Sequence, residues 1–241
     1  MARRKGTWVD MIEIKGLQKM SLIDYPGKIS AVVFLAKCNF RCPYCHNPEL
    51  VVGFDRLPSI GQEELFKFLQ EREKWIDGVV ITGGEPCIQP ELPEFAKRIK
   101  GLGFLVKLDT NGSNPRMLES MVKGKLVDFI SMDIKGPLAK YREIARVDVN
   151  EKDIQKSVDI IRSSGLDYEF RTTAVPGIIG KKDIMEMGKW LKGSERYCIQ
   201  QFRPLKTLDR KCQKVKPYTK EELDGFADSV KGFFKSVEVR D

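Results

Sequence analysis

The sequence predicts an α/β fold: a partial (β/α)6 barrel of TIM-like type, its parallel sheet open on one side. Three observations carry this reading. Apolar runs of strand length alternate six times with segments of helical spacing, a pattern that lays parallel strands side by side under a cover of helices. Most of the runs stop at turn or polar residues. Six units fall short of the eight that close a barrel, and 241 residues suffice for one large core.

The expected strands are 29–35, 77–82, 104–108, 127–132, 168–175 and 196–202. The expected helices are 62–75, with Leu65, Phe68 and Leu69 on one face, then 91–102, 114–123, 151–163, 181–191 and 219–234. Asn114 followed by Pro115 reads as a cap and a first helical position. Thr219-Lys220-Glu221-Glu222 reads as a capping box. Residues 1–15 form a basic lead, beginning Met1-Ala2-Arg3-Arg4-Lys5, with Met11 as a second candidate start. Residues 16–241 form one domain, with a core over about 29–204 and a closing helix over 219–235.

Lys and Arg number 42 against 34 Asp and Glu, a net charge of +8. That balance favours acidic partners. The cations are spread along the chain, which reads as a solvated surface rather than a nucleic-acid face. No apolar run reaches membrane length and no apolar segment follows the basic lead, so the expected location is the cytoplasm. Six cysteines in that compartment are ligands, reactive thiols or core residues before they are disulfides.

After the first strand comes Cys38-Asn39-Phe40-Arg41-Cys42-Pro43-Tyr44-Cys45-His46. Three thiolates spaced C-x3-C-x2-C can grip one face of a cubane iron–sulfur cluster and leave the fourth iron open to a substrate. Rival readings are a Cys42/Cys45 dithiol oxidoreductase, a c-type haem attachment string, a zinc site that includes His46, and inert buried thiols. Haem attachment normally requires export, a dithiol site gives Cys38 no role, and adjacent Cys45 and His46 are awkward on one ion. His46, the only histidine, reads as a loop residue at the edge of the site.

The other strand ends carry polar residues in turn. Thr82-Gly83-Gly84-Glu85-Pro86 frees the backbone to approach a ligand. Asp109-Thr110-Asn111-Gly112 places a carboxylate and polar groups at the mouth, and Asp133-Ile134-Lys135 an anion and a cation. Alternation lets Arg171 face inward, and Gln200-Gln201-Phe202-Arg203-Pro204 closes the series. Singly these read as turns, caps and surface pairs; together they ring the cysteine loop.

With those residues in place the chain resembles the radical S-adenosylmethionine (SAM) enzymes. Among them it is similar to the glycyl-radical-enzyme activating proteins, of the anaerobic ribonucleoside-triphosphate reductase activating type. The resemblance runs from about Lys15 to Pro204 and rests also on Ser21-Leu-Ile-Asp-Tyr-Pro-Gly27, His46-Asn-Pro-Glu-Leu50, Met132-Asp-Ile-Lys135 and Val175-Pro-Gly177. It implies that Cys38, Cys42 and Cys45 ligate a [4Fe–4S] cluster and that SAM chelates the fourth iron. It implies further that the Gly83–Pro86 backbone holds the SAM amino group and that Tyr44 and Val175 lie along the adenine. Asp109, Thr110, Asn111, Lys135 and Gln201 would serve the rest of SAM. Arg171 would neutralise its carboxylate or face the partner, and Asp109 and Asp133 would share a monovalent cation. The implied chemistry is reductive cleavage of SAM to a 5′-deoxyadenosyl radical, which takes a hydrogen atom from a glycine of a partner enzyme. Electrons would come from an external donor such as ferredoxin or flavodoxin. No side-chain acid or base is required. The sequence alone leaves open a small-molecule radical SAM enzyme of modified-nucleobase biosynthesis, a dithiol oxidoreductase and a structural zinc or RNA-binding module. Two departures stand out: Lys37 immediately before the first cysteine, and Cys87, Cys198 and Cys212, whose spacing matches no cluster motif.

Overall fold

The computed structural model describes residues 12–240, so most of the basic lead, and with it the choice between Met1 and Met11, lies outside the described residues. In chain order the elements are β1 (Ile14–Ser21), β2 (Ser30–Leu35), α1 (Pro48–Val51), α2 (Gln62–Glu71), β3 (Gly78–Gly83), α3 (Leu92–Gly101), β4 (Leu105–Thr110) and α4 (Pro115–Lys123). There follow β5 (Phe129–Asp133), α5 (Tyr141–Ala145), α6 (Glu151–Ser163), β6 (Asp167–Ala174), α7 (Lys181–Trp190), β7 (Ser194–Gln201), α8 (Lys220–Val230) and β8 (Phe234–Arg240).

All eight strands join one sheet in the order β1 to β8. From β2 to β8 every neighbour is parallel, and β1 runs antiparallel to β2. The sheet does not close, since β1 and β8 are its two ends. The predicted partial barrel, open on one side, is therefore present, and it gains a strand at each edge. The predicted closing helix is shorter than expected: α8 ends at Val230, a single 3-10 turn follows, and Phe234 begins β8. Both predicted caps form. Asn114 accepts a hydrogen bond from the Met117 amide. Thr219 Oγ1 accepts from the Glu222 amide while Glu222 accepts from the Thr219 amide. Such caps contribute about 1 kcal/mol each.

Strand alternation divides the side chains between two faces. Val33, Leu35, Ile81, Leu108, Met132, Phe170 and Ile199 point outward into the main core, where Leu65, Leu69 and Ile99 of the helices are fully buried; each such side chain contributes about 1.5–3 kcal/mol. The inner face is split. At β2, β3 and the foot of β5 it is apolar, with Val32, Val80 and Phe129 packed on Tyr25. At β4, β5 and β6 the alternate positions are Lys107, Asp109, Ser131, Asp133, Glu169 and Arg171. This ionic half leads up to the strand ends, where the site lies.

Candidate functional site

The cysteine loop leaves β2 through Lys37, a non-glycine residue in the left-handed region (φ 69°). Its backbone is clamped on both sides: the Lys37 amide donates to the Leu50 carbonyl (2.8 Å), and its carbonyl accepts from the Glu85 amide (2.8 Å). The two glycines after β3 make this clamp possible. Gly83 has φ +116°, and a Cβ there would strike the Leu35 backbone; a Cβ on Gly84 would collide with the Lys37 carbonyl. Only a bare backbone can dock this closely against the residue that precedes Cys38. The Lys37 side chain points away from the loop, pairing with Glu13 (3.1 Å) and lying over Phe54.

Within the loop, the Cys45 amide donates to the Cys42 carbonyl (3.1 Å), and Arg41 Nη1 donates to the carbonyls of Cys38 (2.6 Å) and Phe40 (2.8 Å). All six cysteines are free, and Cys38, Cys42 and Cys45 line one cavity at the sheet mouth. Burial, with Glu85 nearby, pushes the Cys38 thiol up to about 12. Burial also pushes Cys42 up to about 11, against the pull of Lys135, and raises Cys45. Among the described residues no three His, Cys, Asp or Glu side chains are gathered for a single metal ion. A cubane needs no such convergence, because each thiolate takes its own iron.

Glu85 is an internal strut. Buried at 1% exposure, it accepts from the Cys87 amide (2.9 Å), Thr110 Oγ1 (2.7 Å) and the Asn111 amide (2.6 Å). These bonds tie the end of β3 to the end of β4. Burial raises its carboxyl pKa and the three donors offset part of the rise.

The far wall is an ion chain. Lys107, 1% exposed, donates to Asp109. Arg171 Nη2 reaches Asp109 (3.4 Å) and its Nε reaches Asp133 (2.7 Å); Lys135 Nζ donates to Asp133 (3.1 Å). Burial alone would raise the Asp133 carboxyl, but Arg171 and Lys135 outweigh it and hold it well below the usual carboxylate range. What Asp109 and Asp133 share here is therefore the Arg171 guanidinium. The Tyr44 hydroxyl points at the Lys135 carbonyl (3.5 Å), and the His46 ring stacks on Phe202 at 5.7 Å.

Of the predicted site residues, Pro86, Val175 and Gln201 do not line the cavity; the others do. Val175 is fully buried in the main core, and Gln201 Nε2 donates to the Tyr218 carbonyl (2.6 Å). The cavity adds Asp24, Val32, Phe34, Phe40, Asn47, Val51, Thr82, Thr173 and Gln200. Alternation could have found Phe34, Thr82 and Thr173. Asp24 reaches the cavity from the loop after β1 and Val51 from the last position of the short helix α1, placements that strand alternation does not report.

A profile of the Radical SAM superfamily matches residues 32–191. A Methanocaldococcus jannaschii protein that carries the name glycyl-radical enzyme activating enzyme is 34% identical over 232 residues, covering 94% of this chain and 95% of its own. The pyruvate formate-lyase-activating enzyme of Clostridium pasteurianum is 36% identical over 132 residues, 52% of this chain and 53% of its own. In fold, the chain is similar to Streptococcus suis SuiB bound to S-adenosylmethionine, with a TM-score of 0.65 and 14% identity. That match covers 85% of this chain and 48% of SuiB.

Proposed function

From the premise that this chain belongs to the radical SAM superfamily, and within it to the glycyl-radical-enzyme activating enzymes, we propose how its residues divide the work and what it acts on. The family's cofactors are a [4Fe–4S] cluster and SAM, which together supply one-electron cleavage of a sulfonium to a 5′-deoxyadenosyl radical. Cys38, Cys42 and Cys45 hold three corners of the cluster. The Gly83–Gly84 backbone, already pressed against Lys37, receives the SAM amino group. Glu85 keeps Thr110 and Asn111 at the height the nucleoside needs. Arg171 and Lys135 offer cations to the carboxylate, with Asp109 and Asp133 fixing where those cations stand. Tyr44 and His46 flank the adenine. Ligation must displace thiol protons, so cluster loading tightens as pH rises.

The substrate is a glycine in a partner protein, which we take to be an anaerobic ribonucleoside-triphosphate reductase. Residues 16–241 act as one unit in the reducing cytoplasm, in keeping with six free cysteines. Similarity over nearly the whole chain to an activating enzyme favours a protein substrate over a small molecule. The carrying observation is that three unpaired thiols of one eight-residue stretch line the same cavity as the Gly83–Gly84 clamp and the Asp133 ion chain.

The test is anaerobic reconstitution with iron and sulfide, then dithionite and SAM. Brown protein forming 5′-deoxyadenosine is expected, and Cys38→Ala should abolish both. With the reductase added, an EPR doublet of a glycyl radical is expected. Folded, iron-loaded protein that leaves SAM intact would overturn the reading.

A further inference from the structure

The segment that follows β7 lies against the cysteine loop at His46, on the cavity rim, and at Pro43, which does not line the cavity. Four contacts pin it there. Phe202 stacks on His46. Lys206 pairs with Glu49. The Asp209 amide donates to the carbonyl of Pro43, which lies between Cys42 and Cys45 (2.8 Å). The Asp209 side chain pairs with Arg146 (2.9 Å) and caps a 3-10 turn at the Lys211 amide. Cys212 is buried at 6% exposure beneath that turn, which leaves Arg210, Lys211 and Lys214 facing water.

The segment is strongly basic. Over residues 203–216 it carries Arg203, Lys206, Arg210, Lys211, Lys214 and Lys216 against Asp209 alone. All six cations are exposed. Lys206 is paired; the other five make no ion pair among the described residues. A cleft at Pro43 is lined by Lys140, Glu143 and Arg146, and its two cations are paired, Lys140 with Asp183 and Arg146 with Asp209, so the free charge lies on the strap itself. Arg146 sits at φ 52°, a costly conformation for a residue with a Cβ, held by its pairing to Asp209 and by the Arg41 amide bond to the Ala145 carbonyl (2.8 Å).

We infer that this strap is the docking face for an acidic one-electron donor protein. The inference rests on the reading given under Proposed function, because it assumes a cluster at Cys38, Cys42 and Cys45. With SAM on the cavity side, the outer side of the loop is the remaining short approach to the cluster. Cys87 after β3, Cys198 in β7 and Cys212 in the strap are each buried on a different element and share no cluster motif, so the donor is taken to be another molecule. Unpaired cations on a segment that touches the ligand loop at Pro43 and His46 steer an anionic protein to that spot and set its orientation. The step is a simple electron transfer. The donor's reduced iron–sulfur centre loses one electron and is oxidised, the resident cluster gains it, and no bond forms.

The test uses reconstituted holoenzyme and SAM, driven either by dithionite or by a reduced acidic [2Fe–2S] ferredoxin below saturation. In Arg210→Glu/Lys211→Glu/Lys214→Glu, ferredoxin-driven formation of 5′-deoxyadenosine should fall about tenfold or more, in the range of electrostatic steering, while the dithionite-driven rate holds. Lys97→Glu/Lys123→Glu, on the distant α3 and α4 surfaces, should change neither. Ferredoxin affinity, measured by calorimetry without turnover, should weaken in the first variant only. Equal losses in both arms, or an unchanged ferredoxin arm, overturn the inference. Unchanged ferredoxin affinity with lost affinity for a poly(U) oligonucleotide marks a nucleic-acid surface and also overturns it. Failure of the dithionite arm in the unaltered enzyme instead counts against the cluster reading, and calorimetry still decides the docking face.

Discussion

The cysteine loop has two faces, and they treat charge in opposite ways. On the cavity side the ionic groups have partners: Lys107 and Arg171 bracket Asp109, Arg171 and Lys135 bracket Asp133, and three donors converge on Glu85. On the outer side Arg203, Arg210, Lys211, Lys214 and Lys216 stand in water without ion-pair partners among the described residues. Compensated charges in a shielded site position a ligand, because they cannot swing or be screened. Uncompensated charges in water attract from a distance. The same residue types serve both ends, and pairing decides which.

The most damaging way to break the inner face is at its glycine clamp. Gly84→Ala forces a methyl into the Lys37 carbonyl, so the cysteine loop has to move. Reconstituted protein should lose most of its iron, and SAM cleavage should fall to background, with the helix content by circular dichroism kept. Full iron loading would show that the clamp tolerates displacement. Next in size is Arg171→Met, which leaves Asp109 and Asp133 short of their shared cation. Breaking a buried pair in this way costs about 3–5 kcal/mol, readable by urea unfolding. A cost below about 1 kcal/mol would place the ion chain with ordinary surface pairs.

Acid sharpens the contrast. The Asp133 carboxyl is depressed below its unfolded value of about 3.9. Its stabilising contribution is present above that value and is lost as pH falls through the lower folded one. Unfolding free energy should drop steeply below about pH 4, and Asp133→Asn should flatten that limb while lowering stability at neutral pH. An unaltered acid limb in the variant would mean that other carboxylates set it. The smallest effect is expected from salt. Global stability should change by less than about 1 kcal/mol up to 1 M salt, since buried pairs are poorly screened, whereas ferredoxin-driven turnover should fall over the same range.

Much of this was legible in the residues. The six central strands showed as apolar runs, most of them closed by turn or polar residues, and the Asn114 and Thr219 caps showed as local motifs, because both signals are short-range. β1 was hidden because its exposed middle, Gln18-Lys19-Met20, breaks the alternation expected of a half-buried strand. β8 was hidden because Phe234 continues the apolar spacing of α8. In the site, the cysteine spacing and the inward aim of Arg171 could be read from sequence. The strut role of Glu85 could not, since its partners Thr110 and Asn111 lie on the next strand. Nor could the withdrawal of Val175 into the core, which depends on how the turn after β6 folds back. The basic strap was present in composition but spoke only once Asp209 was seen to touch Pro43.

One feature of the sheet has a mechanical side. Its first and last strands carry no ladder between them, so the wall has an unsewn seam. Prising that seam apart bends the sheet and breaks no backbone hydrogen bond, whereas shortening the molecule along its strands must compress a close-packed interior. The compliant direction is thus sideways, and a bulky visitor meets an elastic lip there rather than a rigid ring.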